Sequence, residues 1–196
     1  MRSICGFRTG LASLSHAAVD SGPRLLYSDR LCTAMSDAPT TIRAATANDL
    51  PALRELFQAG MHEGEVRIND TGADIENLHD GYLDGSEHNG FWVAARDATV
   101  LGMIGVQQVD DAVAEVRRLR VHPEYRRQGV GSALMKHAVS FCRDHEYLKI
   151  VLDVRGERAG AIRMFEKFGF YLAKVREQDE RRVLDFYVDL YHEPLG

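Results

Sequence analysis

A chain of 196 residues, 45% hydrophobic and 27% charged, is long enough for one domain with a full core and has the composition of an ordinary soluble globular protein. The formal net charge of -5 argues against a protein that holds nucleic acid through general electrostatics. No apolar run approaches the roughly 20 residues that a membrane span requires. The three cysteines, Cys5, Cys32 and Cys142, are too scattered for a disulfide framework or a zinc site, so a reducing compartment and no metal are expected.

Residues 1–38 differ in kind from the rest. From Met1 to Ala34 the chain carries Arg2, Arg8, Arg24 and Arg30 with several serines, and no acid precedes Asp20. That is the composition of a transit peptide. An upstream extension is the other explanation, because Met35-Ser36-Asp37-Ala38-Pro39 makes a workable start. On either account residues 1–38 are set aside and 39–196 form the domain. It is expected in the cytoplasm, or in mitochondria if the extension is a genuine transit peptide.

Within the domain, Thr41 to Ala45 predicts a short strand. Asn48 or Asp49 can cap a helix with Pro51 in its first turn, placing Leu50, Leu53, Leu56 and Phe57 on one face until Gly60 and Gly64 end it. Ile75, Leu78 and Tyr82 predict a second helix over Ala73 to Leu83, with a polar loop, Gly64 to Gly72, between the two. The period then changes from helical to strand-like. Gly90 to Arg96, Val100 to Val109 and Val113 to Val121 predict three strands of an antiparallel meander. Pro123 stops the third, whose Val113, Leu119 and Val121 are apolar among arginines.

A helix from Gly129 to about Glu146 follows, with Val130, Ala133, Leu134, Ala138, Phe141 and Cys142 as its apolar stripe. Leu148 to Val154 predicts a buried strand, and Ala161 to Phe168 a short helix closed by Gly169. Two last strands, Phe170 to Arg176 and Arg182 to Leu190, flank the turn Gln178-Asp179-Glu180. The sum is an α+β layered fold, a mixed and mostly antiparallel sheet of about seven strands with helices on both faces.

The chemistry is concentrated in Glu115-Val-Arg-Arg-Leu-Arg-Val-His-Pro-Glu-Tyr-Arg-Arg-Gln-Gly-Val-Gly-Ser-Ala-Leu134. A strand ends, a basic loop turns, and a helix begins at two glycines one residue apart. Glycines there let main-chain N–H groups approach a ligand, and the helix N-terminus adds unsatisfied donors and the positive end of a dipole. With Arg126 and Arg127 beside it, the natural occupant is a diphosphate. A Rossmann loop would need a third glycine where Leu134 stands, and a P-loop would need a lysine that Gly131-Ser132 lacks.

These residues resemble the GNAT superfamily of N-acetyltransferases. Arg126-Arg127-Gln128-Gly129-Val130-Gly131 matches that family's pyrophosphate loop, and Leu119 to Tyr125 the strand and turn before it. Ala161-Ile162-Arg163-Met164-Phe165-Glu166-Lys167-Phe168-Gly169-Phe170 matches a second motif. Phe57-Gln-Ala-Gly-Met61 and Phe91-Trp92-Val93-Ala94 are faintly similar to camello-like members, though the hydrophobic anchor usual in that branch is not expected here.

The resemblance implies acetyl-CoA as cosubstrate and transfer of acetyl to a primary amine on a small molecule or peptide. It implies that the amides of Gln128, Gly129, Val130, Gly131 and Ser132, with Arg126 and Arg127, hold the CoA pyrophosphate. The strand around Leu119 to Val121 would pair with the pantetheine arm, and the Leu119 N–H would face the thioester carbonyl. Glu115 stands where many members carry a glutamate base; a strand carboxylate paired with Arg117 is the alternative. The acceptor pocket would be formed by the Gly60 to Gly72 loop, the second helix and the Gln178 to Arg181 turn; Glu63, Glu65, Asp70 and Asp74 hint at a cationic acceptor, and a solvated loop explains them equally well. A homodimer through the final hairpin is a further option.

Two positions depart from the family. Phe165 stands where a tyrosine often protonates the departing thiolate, and Arg158 where an asparagine often contacts pantetheine. Tyr171 is a possible substitute acid or a plain strand-face residue. His137, Cys142 and His145 share one helix, as core or solvated residues rather than metal ligands. A non-catalytic acyl-CoA sensor of the same fold, or a nucleotide-binding α/β protein, are the rival functions.

Overall fold

The computed structural model describes residues 38–64, 70–83, 85, 87–178 and 181–191. Apart from Ala38, the extension expected at 1–38 lies outside them, as do Glu65 and the Asp179-Glu180 tip of the last turn. Seven strands form one sheet: β1 (Thr41–Ala44), β2 (Gly90–Arg96), β3 (Thr99–Gln108), β4 (Val113–Val121), β5 (Lys149–Arg155), β6 (Tyr171–Gln178) and β7 (Arg181–Asp189), in the order β1-β2-β3-β4-β5-β7-β6. The helices are α1 (Leu50–His62), α2 (Ala73–Glu76), α3 (Leu78–Tyr82), α4 (Val130–Asp144) and α5 (Ala159–Lys167). All pairings are antiparallel except β4 with β5, the two strands that α4 connects. A crossover helix is what parallel neighbours need.

Strand alternation sorts the core onto the two faces of the sheet. Along β2, Trp92 and Ala94 join the α4 face, where Leu134, Met135, Ala138 and Cys142 pack with Ile104, Val116, Ile150, Leu152 and Phe165. Phe91 and Val93 join the other face, with Leu53, Leu56 and Phe57 of α1 and Ile75, Leu78 and Tyr82 of α2 and α3. The α4 stripe differs from expectation at one position: Ala133 is exposed and Met135 is buried in its place. Burying a side chain such as Leu134 is worth about 1.5–3 kcal/mol.

Two local expectations are corrected. The helix predicted over Ala73 to Leu83 is two short helices broken at Asn77, whose Nδ2 donates to the Ala73 carbonyl at 3.0 Å. A side chain that bonds its own backbone in this way competes with the helix ladder. Asp49 does precede α1, but it does not cap it. Its carboxylate turns back, accepting from Thr46 N at 2.8 Å, Thr46 Oγ1 at 2.9 Å and two Arg43 nitrogens at 2.7 Å.

That buried carboxylate makes the fold acid-sensitive. The Arg43 hydrogen bonds, helped by Thr46 and opposed by burial, lower the Asp49 pKa from 3.8 to about 2. A carboxylate depressed on folding contributes stability that is present above its unfolded pKa and lost as pH falls through the folded one. Asp49→Asn should therefore cost up to about 2 kcal/mol at pH 7. Urea titrations should show the gap to wild type narrowing as the pH drops from 3.8 toward about 2; a gap independent of pH would assign the loss to packing instead.

Candidate active site

β4 is the strand that opens the fold. It pairs with β5 only from Val113 to Glu115, opposite Lys149 to Val151. Beyond that, β5 stays with β7 as far as Arg155 and β4 stays with β3 as far as Val121. The two strands part, and among the described residues no strand pairs with this edge of β4 after Glu115.

A β-bulge decides what that edge presents. Arg118 and Leu119 together stand opposite Ile104, and Arg118 has φ 57. A left-handed arginine costs roughly 1–2 kcal/mol unless its surroundings over-determine it. The extra residue reverses the alternation. Ala114 and Val116 face the α4 core, and so do Leu119 and Val121, which differ from them in parity. The expected third strand is there, with the bulge as a feature that its apolar residues and arginines did not predict. Past the bulge the His122 N–H donates to the Leu101 carbonyl at 2.8 Å and Arg120 pairs opposite Met103. Antiparallel alternation then turns the amides of Leu119 and Val121 toward the open edge. Their carbonyls accept there from Arg120 Nη1 and Arg126 Nε, each at 3.1 Å.

The glycine loop closes one end of this opening. Arg127 and Gly129 are both left-handed, with φ 61 and 85, and Gly129 caps α4. A Cβ on Gly129 would meet nothing within 4 Å, whereas one on Gly131 would lie 3.5 Å from Met164 Sδ and Val121 Cγ2. The first amides of α4 lack partners within the helix and sit at the positive end of its dipole.

Loop, β4 edge and α5 enclose a cavity of about 920 Å³. Of the expected coenzyme residues, Leu119, Val121, Arg126, Arg127, Gly129, Gly131 and Ser132 line it. The side chains of Gln128 and Val130 do not: Gln128 Nε2 donates to the Glu124 carbonyl at 2.9 Å and Val130 is buried in the core. What these two can offer a ligand is their main-chain amides. Arg126 Nη2 also reaches Glu63 at 2.6 Å, and Arg181 Nη1 donates to the Gly64 carbonyl at 2.8 Å, which ties the end of α1 to this cavity.

A second cavity, of about 470 Å³, lies on the other side of the bulge and includes Asp70, Asp74, Glu115, Arg117 and Asp153 in its wall. Leu119, Arg155, Arg158 and Phe165 border both cavities. Glu115 is one-third exposed, and its Oε2 lies 3.7 Å from Arg117 Nε. It therefore lines the cavity and is paired with Arg117 at once. Phe165 is buried, with the rings of Phe170 and Phe186 at 6.0 and 6.3 Å, so hydrocarbon stands at the junction. Tyr171 is a strand-face residue: it is 66% exposed on β6, its ring tilted 6.0 Å from that of Tyr187, and it lines neither cavity.

Of the acids that hinted at a cationic acceptor, the three described ones, Glu63, Asp70 and Asp74, are each paired with an arginine. Arg118, only 7% exposed, holds both Asp70 and Asp74, and Tyr82 donates to Asp74 at 2.8 Å. Burial works against ionisation of both carboxyls, but the hydrogen bonds and charge of Arg118 outweigh it and hold them below the usual range. Glu63 is bound to Arg126. On α4, Cys142 is core, its thiol pushed up to about 12 by burial, while His137 packs on Trp92 at 4.9 Å and His145 on Phe141 at 4.0 Å. Sequence alone missed Arg118 and Arg155. For Arg118 the signal was present, as two successive charged residues, Arg117 and Arg118, between apolar neighbours.

Comparison with known proteins places the chain in a family. The family model for the acetyltransferase (GNAT) family matches residues 50–170. Human N-acetyltransferase 8 is 34% identical over 103 residues, 50% of this chain and 44% of that protein. The probable N-acetyltransferase camello of Xenopus tropicalis is 30% identical over 104 residues, 52% of this chain and 47% of that one. The chain thus spans about half the length of the curated relatives it matches. Among solved structures, yncA from Salmonella typhimurium, determined with acetyl-CoA, superposes with a TM-score of 0.68 at 19% identity, covering 80% of this chain and 96% of its own. A glycine-capped helix beside a bulged strand with one open edge, in a sheet of this order and with these relatives, leads to one assignment: the chain belongs to the acetyltransferase (GNAT) family.

Proposed function

We propose that the protein transfers acetyl from acetyl-CoA directly to a primary amine in a ternary complex. The observation that carries this is the meeting of two cavities at Leu119 and Phe165, beside the edge of β4 that no strand covers among the described residues. The larger cavity takes the coenzyme: first-turn amides of α4 with Arg126 and Arg127 hold the pyrophosphate, and the Leu119 and Val121 amides hold the pantetheine arm. The acetyl-CoA in the yncA structure supports this use of the fold. The smaller cavity takes the amine.

The chemistry follows from that placement. An alkylamine of pKa about 10.4 is almost wholly protonated at pH 7, a handicap of about 4–5 kcal/mol. Glu115 accepts that proton. The nitrogen lone pair then attacks the thioester carbon, the oxyanion forms against the Leu119 N–H, and the C–S bond breaks as the nitrogen gives up its second proton to solvent. One such donor is worth about 3 kcal/mol. No tyrosine lines either cavity among the described residues, so sulfur departs as thiolate, which a thiol of pKa near 8.5 permits.

The buried phenyl ring of Phe165 favours a second reading, an acyl-CoA sensor without turnover. Thiol release from acetyl-CoA, measured against amino acids, polyamines, peptides and aminoglycosides, separates the two. Release with at least one amine class is the expected result. Tight acetyl-CoA binding with no release across the panel would establish the sensor.

A further inference from the structure

The oxyanion donor proposed above is an N–H, and an N–H belongs to a peptide plane. Here that plane joins Arg118 to Leu119, so its direction is fixed by the left-handed backbone of Arg118 as much as by Leu119 itself. The Arg118 side chain beside that plane is itself tightly held. Nη1 and Nη2 donate to the two oxygens of Asp70 at 2.5 and 2.8 Å, while Nε and Nη2 donate to the two oxygens of Asp74 at 2.9 and 2.5 Å. The guanidinium carbon also lies 5.3 Å from the centroid of the Phe57 ring. One arginine fork is thus closed by two carboxylates, each held in turn. Asp70 accepts from Gly72 N at 3.1 Å and Asp74 from Tyr82 Oη at 2.8 Å.

We propose that Arg118 is a positioning residue for acetyl transfer. Its clamp on Asp70 and Asp74 aims the Arg118–Leu119 N–H at the thioester and fastens it to the segment that borders the acceptor cavity. Planar, charge-assisted bonds at both ends of a guanidinium fix orientation as well as position, which a single ion pair would not do. The clamp also accounts for a costly backbone conformation at a non-glycine residue, because removing either carboxylate frees the bulge to relax. The proposal rests on Leu119 being the oxyanion donor, and its test reports on that separately.

The test uses the full chain as wild type, Asp70→Asn and the double variant Asp70→Asn/Asp74→Asn. The single variant keeps the Asp74 contacts should the double fail to fold. The Leu119 amide resonance is followed on adding acetyl-CoA and, separately, CoA, which lacks the carbonyl. In wild type the two ligands should shift it differently. In the variants that difference should shrink, and kcat should fall about tenfold or more while KM for acetyl-CoA stays within about twofold. A variant with wild-type kcat and an intact shift difference overturns the clamp alone. If acetyl-CoA and CoA act alike on Leu119 in wild type, the oxyanion assignment fails and the clamp proposal with it.

Discussion

Glu115→Gln is expected to lower kcat/KM for the amine at pH 7 by about 10²- to 10³-fold, with a loss that shrinks as pH rises. The substitution keeps the shape of the side chain and removes its capacity to take a proton. Below the amine pKa of about 10.4, the variant can use only the free base that solution supplies, so its rate climbs about tenfold per pH unit. On the proposed mechanism wild type takes the ammonium form and removes the proton in place, so its profile should be flatter and the two should converge at alkaline pH. Stability should change little. The pair with Arg117 spans 3.7 Å with both side chains one-third exposed, a geometry worth about 0–1 kcal/mol. A pH-rate profile for both proteins checks this. Parallel profiles would leave Glu115 as a strand carboxylate that only balances Arg117.

The fold was legible in the sequence wherever one local rule settled the matter. Strand alternation, hairpin-sized gaps and a glycine-started helix gave seven strands near their observed positions, because each signal lies within a few residues of the feature it specifies. The glycine turn that starts α4 was legible for the same reason: Gly129 and Gly131 lie within the turn they specify. What failed was whatever depended on distant partners. Asp70 and Asp74 looked like acids awaiting a cation because Arg118, 48 and 44 residues later in the chain, gives no local sign that it will bind them. The bulge was half legible. Arg117 and Arg118 break the alternation between Val116 and Leu119, yet interleaved arginines on an exposed strand look much the same. Glu115 remained double-sided in the sequence because cavity lining and ion pairing do not exclude one another, and in the structure it does both.

Gly131→Asp should abolish acetyl-CoA binding while leaving the fold intact or slightly firmer, and the opposition of those two effects is what makes the substitution informative. Position 131 is the second residue of α4, where an acid interacts favourably with the helix dipole by about 0.3–1 kcal/mol and replaces a glycine that helices disfavour. There is room for it: the new Cβ would lie 3.5 Å from Met164 Sδ and Val121 Cγ2, an ordinary contact distance. The same carboxylate would sit at the first-turn amides and beside Arg126 and Arg127, filling the cradle with a negative charge that a diphosphate cannot displace cheaply. An increase in Kd of about 100-fold or more follows from repulsion and lost main-chain contacts together. Calorimetric titration with CoA, run beside thermal unfolding, measures both quantities on one sample. Unimpaired CoA binding with an unchanged or higher Tm would mean that the diphosphate lies elsewhere, and the coenzyme assignment of the larger cavity would fall with it.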